Sequence, residues 1–248
     1  MRHGIPASGI ISSMITSADI VANIAAIQSR IDAACKLYQR RSRPTLIAVT
    51  KTRSAAEITT AINAGISDIG ENYLQEALDK QAELSVQPKQ WHFIGPIQAN
   101  KTRAIASHFD WVHSVDRAKI ITRLNDQRPP ELAPLNICLQ VNINDETSKA
   151  GAAKDAIPQL AALVLQQPQL RLRGLMAIPV NTDDIQQQRH NFAALRSIFT
   201  DLQAKFPSAV LDTLSMGMSA DMEAAIAEGA TLVRIGSDIF GPRPSPSR

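Results

Sequence analysis

The stretch Thr45-Leu46-Ile47-Ala48-Val49-Thr50-Lys51 is a short apolar run that ends on a lysine. It is too short for an ordinary helix, and its composition is typical of a strand that is buried on both faces. Ser54 and Glu57 follow at the spacing of a capping box, which predicts that a helix begins just beyond the strand. Lys51 is therefore expected at the carboxyl end of a buried strand.

The same strand-then-helix unit recurs along the chain. We predict seven further strands, each followed by a helix or a helical turn, at 68–72, 91–95, 111–115, 136–143, 172–178, 211–216 and 232–236. Alternating β and α elements indicate a parallel sheet in an α/β protein. Eight such units in 248 residues favour a closed (β/α)8 TIM barrel over an open doubly wound sheet. An extra N-terminal helix with an apolar stripe is predicted over 18–38.

The chain is predicted to form one domain, because no linker with a shift in composition divides it. We expect the barrel to occupy residues 16–243. Residues 1–15 are expected to form an extension outside the fold, and they lack the hydrophobic block and cleavage site of a signal peptide. Residues 244–248 are rich in Pro and Ser and are expected to form a disordered tail.

The composition is that of an ordinary soluble globular protein, with 44% hydrophobic and 20% charged residues and a formal charge of +3. Lys and Arg are scattered, which argues against nucleic-acid binding, and no apolar run is long enough to cross a membrane. The two cysteines, Cys35 and Cys138, lie in apolar settings that suit a reducing compartment. We expect a cytoplasmic protein, and a monomer because no exposed apolar stripe is evident.

A lysine at the end of a strand has two interpretations. It can extend its ammonium to solvent or pair with a carboxylate, which is the commoner case for an isolated lysine. Alternatively, its amine is desolvated enough to lose a proton and attack a carbonyl, forming a Schiff base. The other strand ends decide between the two, because in this class of barrel the chemistry gathers at the carboxyl ends of the strands.

Two strand ends late in the chain carry features of a phosphate site. After strand seven, Gly217 permits close approach of the backbone, and Ser219 is predicted as the N-cap of a helix whose N–H groups favour an anion. After strand eight, Gly236 and Ser237 supply backbone N–H and hydroxyl donors. A plain capped helix explains either feature alone. Because such barrels often bind phosphate after strands seven and eight, the pair favours the Schiff-base interpretation of Lys51.

Arg234 alternates with Val233 and Ile235, so its side chain is predicted to point into the barrel. A buried guanidinium needs an acceptor, and the ring nitrogen of a pyridine would serve. A lysine, a phosphate site and a partner for a ring nitrogen together indicate pyridoxal 5′-phosphate (PLP) as the cofactor. His92 and His113 are interpreted as core or rim histidines, and the sequence contains none of the common metal-binding or nucleotide-binding motifs.

Several motifs, in the same order, resemble the pyridoxal phosphate homeostasis protein family, which is similar to the barrel domain of alanine racemase. They cover roughly residues 18–243 and include Val49–Lys51, Gly70–Tyr73, His92–Lys101, Asn142–Gly151, Gly174–Pro179, Leu214–Ser219 and Val233–Gly236. By that likeness Lys51 carries the cofactor as an aldimine, and Arg234 faces the pyridine nitrogen. The resemblance also places Asn72 near the ring, and it assigns the phosphate to three residues: Ser219, Gly236 and Ser237.

What the resemblance implies is a cofactor binder that keeps free PLP low and delivers it to PLP-dependent apoenzymes, with no catalytic residue or metal ligand assigned. Alanine racemase has a second domain that supplies a tyrosine acid/base, which we do not expect here because the chain ends shortly after Gly241. An arginine beside the ring nitrogen also disfavours its protonation and weakens the ring as an electron sink.

Two alternatives stay open. One is a PLP-dependent amino-acid racemase or lyase of low activity that uses the same residues. The other is a barrel aldolase without a cofactor, in which Lys51 attacks the carbonyl of a sugar phosphate.

Overall fold

A computed structural model describes residues 15–144 and 150–242. Eight parallel strands pair in sequence order, and β1 pairs with both β2 and β8, so that the sheet closes into a barrel. The strands are β1 (Thr45–Val49), β2 (Asp68–Glu71), β3 (Gln90–Phe93), β4 (Trp111–Val115), β5 (Leu135–Gln140), β6 (Leu170–Met176), β7 (Thr213–Ser215) and β8 (Leu232–Ile235). The predicted (β/α)8 barrel is confirmed.

The helices alternate with the strands. They are α1 (Ser17–Leu37), α2 (Ala55–Asn63), α3 (Leu74–Glu83), α4 (Thr102–His108), α5 (Ala118–Gln127), α6 (Ile157–Leu165), α7 (Ile185–Lys205), α8 (Met222–Ala227) and α9 (Ser237–Phe240), with short 3-10 turns at Ala99–Lys101 and Lys154–Ala156. Within the described ranges, no helix is both long enough and apolar enough to span a membrane.

The predicted extra helix is α1, and it contacts α2, α8 and α9 on the outside of the barrel. It begins at a capping box formed by Thr16 and Asp19. Ile15, just before it, is partly buried against the core. The rest of the predicted extension and the predicted tail at 244–248 lie outside the described residues.

Two apolar clusters stabilise the barrel. The larger one lies between the strands and the helices, and it includes Leu46 and Ala48 of β1. The smaller one lies inside the barrel and consists of Ile47, Trp111, Cys138, Met176 and Leu232. Alternate residues of β1 therefore point to opposite sides of the sheet, as the pleat of a strand requires.

Seven of the eight strands end one to three residues earlier than predicted, and β1 ends at Val49 rather than at Lys51. Lys51 lies in the turn that follows. The turn is tight because Thr52 adopts a positive φ of 65°. After it, Ser54 and Glu57 form the predicted capping box at the start of α2. The turn places Lys51 at the carboxyl rim of the barrel.

Candidate functional site

A cavity of about 290 Å³ lies at the carboxyl ends of the strands. The residues predicted to bind the cofactor all line it: Lys51, Asn72, Ser219, Arg234, Gly236 and Ser237. The other lining residues are Val49, Arg53, Ile94, Ile178, Met218, Ala220 and Gly241. Residues from distant parts of the sequence therefore meet at one mouth of the barrel.

Lys51 is half-buried, and the backbone on both sides of it is held by side chains of α3. Lys80 Nζ donates to the carbonyl oxygen of Thr50 at 2.6 Å. Glu76 Oε1 accepts from the backbone N–H of Thr52 at 2.5 Å. Because both flanking peptides are fixed, the Lys51 side chain leaves the backbone from a defined position on the cavity wall.

Asn72 directly follows β2 and is level with Lys51, because Gly70 pairs with Val49 in the β1–β2 ladder. Its side-chain Oδ1 is buried and has no hydrogen-bond partner among the described residues. A buried polar atom without a partner costs about 1–3 kcal/mol. The amide oxygen is therefore available to accept a hydrogen bond from a ligand in the cavity.

Ser219 does not cap a helix, so that part of the sequence prediction is wrong. Helix α8 begins at Met222 with Asp221 in the N-cap position. The Asp221 carboxylate accepts from the backbone N–H of Met218 at 2.6 Å and closes a turn that contains Ser219. The turn places Ser219 on the wall of the cavity instead.

Two hydroxyls and a glycine form one side of the cavity. The Oγ atoms of Ser219 and Ser237 lie 3.3 Å apart. Gly236, which precedes Ser237, is so close to β1 that an added Cβ would lie 3.2 Å from the carbonyl oxygen of Val49. Adjacent hydroxyl and backbone N–H donors of this kind bind an anion such as a phosphate group.

Arg234 is buried inside the barrel at the floor of the cavity, as its position in β8 predicted. Its Nη1 donates to Ser215 Oγ at 2.6 Å, and its Nη2 donates to the carbonyl oxygen of Ala177 at 3.0 Å. Burial lowers the pKa of Arg234 to about 10, and a nearby carboxylate, Asp221, opposes that shift. The guanidinium therefore keeps its charge at neutral pH.

The charge of the cavity is positive. Among the described residues that line it, the ionisable side chains are Lys51, Arg53 and Arg234, all of them basic. An anionic ligand fits this wall, and the residues present meet the requirements of PLP: an amine, donors for a phosphate and a buried cation.

Comparisons with known proteins agree with this interpretation. The model of the alanine racemase N-terminal domain family matches residues 22–244. A pyridoxal phosphate homeostasis protein of Pseudomonas aeruginosa is 56% identical over 225 residues, which are 90% of this chain and 96% of that protein. One of Escherichia coli is 50% identical over 229 residues, 91% of this chain and 97% of that protein. The chain belongs to the pyridoxal phosphate homeostasis protein family.

A solved structure of the same fold contains the cofactor. It is PipY of Synechococcus elongatus with PLP bound, which is 36% identical to this chain with a TM-score of 0.79 and covers 90% of this chain and 100% of its own. The barrel of this chain therefore has the same fold as the barrel of PipY, which holds PLP.

Sequence reasoning missed Arg53, which lines the cavity and is buried. Its Nη2 donates to the carbonyl oxygens of Gly241 and Pro242 at 2.5 and 3.0 Å. Its guanidinium also lies over the ring of Phe240. Arg53 thus ties the turn that carries Lys51 to the segment after β8. The sequence signal for Arg53 was its position two residues after Lys51, at the carboxyl end of the same strand.

His92 and His113 do not line this cavity, and both are buried, as core histidines are. His92 Nδ1 and His113 Nε2 are 2.9 Å apart inside the barrel. Within the described residues, no group of three or more His, Cys, Asp or Glu side chains is placed to hold a metal ion.

Proposed function

We propose that this protein binds pyridoxal 5′-phosphate at the carboxyl end of its barrel and takes part in intracellular PLP homeostasis. The observation that supports this best is the cavity itself. It joins a half-buried lysine, the orphaned oxygen of Asn72, two adjacent hydroxyls and a buried arginine within one wall. Two relatives that match nearly the whole chain carry the name pyridoxal phosphate homeostasis protein.

Each residue has a proposed role. Lys51 Nζ condenses with the cofactor aldehyde, so that a carbon–nitrogen double bond forms and water leaves. The phosphate binds to the hydroxyls of Ser219 and Ser237 and to the backbone beside Gly236. Arg234 faces the pyridine nitrogen and donates to it. Asn72 lies near the ring, and all six residues line the same cavity.

The same residues support binding without strong catalysis. Arg234 keeps its charge at neutral pH, because its pKa is about 10, and a second positive charge on the ring nitrogen would be repelled. An unprotonated pyridine withdraws electrons less strongly. A racemase also needs a proton donor on the second face of the substrate. Among the described residues that line the cavity, the ionisable groups apart from Lys51 are arginines, which stay protonated.

The test of the cofactor is borohydride reduction followed by mass spectrometry of the mapped peptides. We expect a pyridoxyl group on Lys51 and an imine absorbance band that is lost in Lys51→Ala. Lys205→Ala, which changes an exposed lysine at the end of α7, is the matched control and should keep both signals. A modified peptide elsewhere, or a colourless protein that traps a sugar phosphate, would contradict the proposal and favour the aldolase.

A separate assay distinguishes the binder from the racemase. The loaded protein is incubated with single enantiomers of alanine and serine, and we expect no turnover. Turnover that disappears in Lys51→Ala would establish the racemase as the function instead.

We propose further that the protein is a cytoplasmic monomer that delivers PLP to apoenzymes. Three large exposed apolar side chains in the described part of the chain, Leu37, Val86 and Val210, lie far apart in sequence, at the end of α1 and in the loops before β3 and β7. Sedimentation of the loaded protein should give the mass of one chain. Reactivation of a PLP-dependent apoenzyme in the presence of a phosphatase that destroys released PLP would support direct transfer, and its failure would contradict it.

A further inference from the structure

A chain of buried polar side chains crosses the interior of the barrel. Asp68 Oδ1 lies 3.0 Å from His92 Nε2, and His92 Nδ1 lies 2.9 Å from His113 Nε2. His113 Nδ1 lies 2.8 Å from Ser215 Oγ, which accepts from Arg234 Nη1 at 2.6 Å. All five residues are buried. Four consecutive hydrogen bonds therefore join a carboxylate to a guanidinium through the middle of the fold.

This series of hydrogen-bonded side chains, from Asp68 to Arg234, connects two cavities at opposite ends of the barrel. Asp68 and His92 line a cavity of about 520 Å³ at the amino ends of the strands. Arg234 lines the cavity at the carboxyl ends that carries Lys51. His113 and Ser215 line neither cavity and are fully enclosed, so they form the link between the two ends.

The hydrogen bonds have one direction. Burial opposes ionisation of Asp68, but the hydrogen bonds from His92 and Ser67, together with nearby positive charge, lower the pKa of Asp68. The ionised carboxylate accepts, so His92 donates to it through Nε2. Burial is the largest of the causes that lower the pKa of His113 well below its ordinary value, so this ring is neutral.

A neutral His113 that donates through Nε2 must accept at Nδ1. The Ser215 hydroxyl then donates to His113 Nδ1, and its oxygen accepts from Arg234. If His113 donated through Nδ1 instead, the Ser215 oxygen would receive two donors, and no acceptor among its described side-chain partners would take its own proton. The direction from Arg234 to Asp68 is thus the one that satisfies every group.

An apolar interior was available to this barrel, since a neighbouring part of it is filled by the smaller apolar cluster. A buried polar network in its place is expensive unless every member is satisfied, and a satisfied one holds its members in a single arrangement. We propose that Asp68, His92, His113 and Ser215 are positioning residues for Arg234. They hold its guanidinium in one orientation at the floor of the PLP cavity. A change of charge at Asp68 therefore alters the hydrogen bonding of Arg234.

This proposal rests on the proposed function for its effect on PLP, but the direction of the chain is measurable without any cofactor. Nitrogen-15 spectra of the apo protein, assigned with His92→Gln and His113→Gln, should show both rings as the neutral Nε2–H form at neutral pH. A proton on His113 Nδ1 would overturn the direction and with it the proposal.

The effect on the cavity is tested at the far end of the chain. An amide in Asp68→Asn can donate to His92 Nε2, which turns the protons of both rings around and gives the Ser215 oxygen two donors. The hydroxyl proton of Ser215 then has no acceptor among its described partners, which disturbs the hydrogen bond that fixes Arg234. We expect PLP to bind about fivefold more weakly, within the usual range of coupling between sites, and the absorbance maximum of the bound cofactor to shift.

Asp212→Asn is the matched control. Asp212 lines the same amino-end cavity and pairs with Arg173 at 2.6 Å, and none of its described hydrogen bonds involves the chain. This substitution removes the same charge as Asp68→Asn. It should leave the PLP affinity within roughly twofold of the wild-type value and the absorbance maximum unchanged. Equal effects of the two variants would overturn the proposal, because they would show a general charge or folding effect.

A double-mutant cycle provides the second test. Ser215→Ala removes the link between His113 and Arg234 with little change in volume. If the chain transmits the change, Asp68→Asn adds nothing to the weaker PLP binding of Ser215→Ala; additive effects would overturn the proposal. A wild-type protein that binds no PLP would instead overturn the proposed function, and the histidine spectra would still decide the direction of the chain.

Discussion

Lys80 is a buried cation whose three N–H donors all have acceptors close to Lys51. Its Nζ lies 2.6 Å from the carbonyl oxygen of Thr50, 2.7 Å from Glu71 Oε1 and 2.6 Å from Glu76 Oε1. Glu71 is fully buried, and burial raises its pKa while the charge of Lys80 opposes that shift. The ammonium therefore opposes protonation of the buried carboxyl group and fixes the turn after β1.

Lys80→Met replaces this ammonium by a thioether of similar length. It tests both roles of Lys80, the pairing with Glu71 and the anchoring of the turn after β1. In Lys80→Met, Glu71 either stays charged with only the Thr50 hydroxyl as a partner or takes up a proton, so we expect a loss of about 3–5 kcal/mol in the free energy of unfolding. Urea denaturation measures it. Lys205→Met, at an exposed position, should change the same quantity by no more than about 0.5 kcal/mol. A loss no larger than that of the control would show that the Lys80–Glu71 pair contributes nothing to stability.

Asp68 makes the stability depend on pH in a definite direction. Its pKa is lower in the folded protein than the ordinary value of 3.8, despite burial, because His92 and Ser67 donate to it. The folded state therefore binds this proton less readily than the unfolded state. The stabilisation is fully present above pH 3.8 and is lost as the pH falls through the folded pKa. Urea denaturation of the wild type and of Asp68→Asn should show a difference at neutral pH that shrinks in acid; a constant difference would contradict this.

At the scale of elements, α1 holds the loops that carry the proposed phosphate site. Arg30, on the face of α1 toward the carboxyl rim, donates through Nη2 to the carbonyl oxygen of Ser219 at 3.3 Å. Its Nε and Nη1 pair with Glu223 and Asp238 at 2.8 and 2.9 Å. One side chain thus ties the turn after β7 to the start of α9, which is what keeps the two serines together.

Removing that tie should weaken PLP binding more than it weakens the fold. The ion pairs of Arg30 are partly exposed, so Arg30→Gln is expected to cost no more than about 1 kcal/mol of unfolding free energy. The PLP dissociation constant should rise about threefold or more, because Ser219 loses its fixed position. Arg43→Gln breaks another ion pair to α1, with Asp32, away from this cavity and is the control. Equal affinities in the two variants would show that α1 does not order the site.

The sequence pattern predicts elements well where one local signal decides them. The apolar runs located all eight strands, and Ser54 with Glu57 located the start of α2. Strand ends were predicted too late because apolar residues such as Ile178 continue past the last paired position. The start of α8 was wrong because the hydrogen bond from Met218 to Asp221 closes a turn that contains Ser219, and the helix begins only after it, at Met222.

At the scale of the whole molecule, ring closure decides which residues meet. Because β1 pairs with β8, Lys51 and Ser237 line one cavity although the whole barrel lies between them in sequence. Topology alone predicts such neighbours once the fold class is known. The chain from Asp68 through His113 was not predictable in this way, because contact across the barrel depends on strand tilt and on which side chains the pleat turns inward.

Ligand binding at this closed ring should stabilise the protein as a unit, since all eight strands form one sheet. If PLP binds only the folded state, a concentration one hundred times the dissociation constant adds about 2.7 kcal/mol to the unfolding free energy. For a chain of 248 residues this corresponds to a rise of roughly 5–10 °C in Tm. Calorimetry with increasing PLP measures the rise.

Covalent capture then separates the contribution of Lys51 from that of the phosphate contacts. After borohydride reduction and dialysis, the wild type and Lys205→Ala should keep the higher Tm, because the cofactor can no longer leave. Lys51→Ala should show a smaller rise while PLP is present, supported by the non-covalent contacts of the other cavity residues, and should lose it on dialysis. A Lys51→Ala protein that keeps the full rise after reduction would show that another amine holds the cofactor.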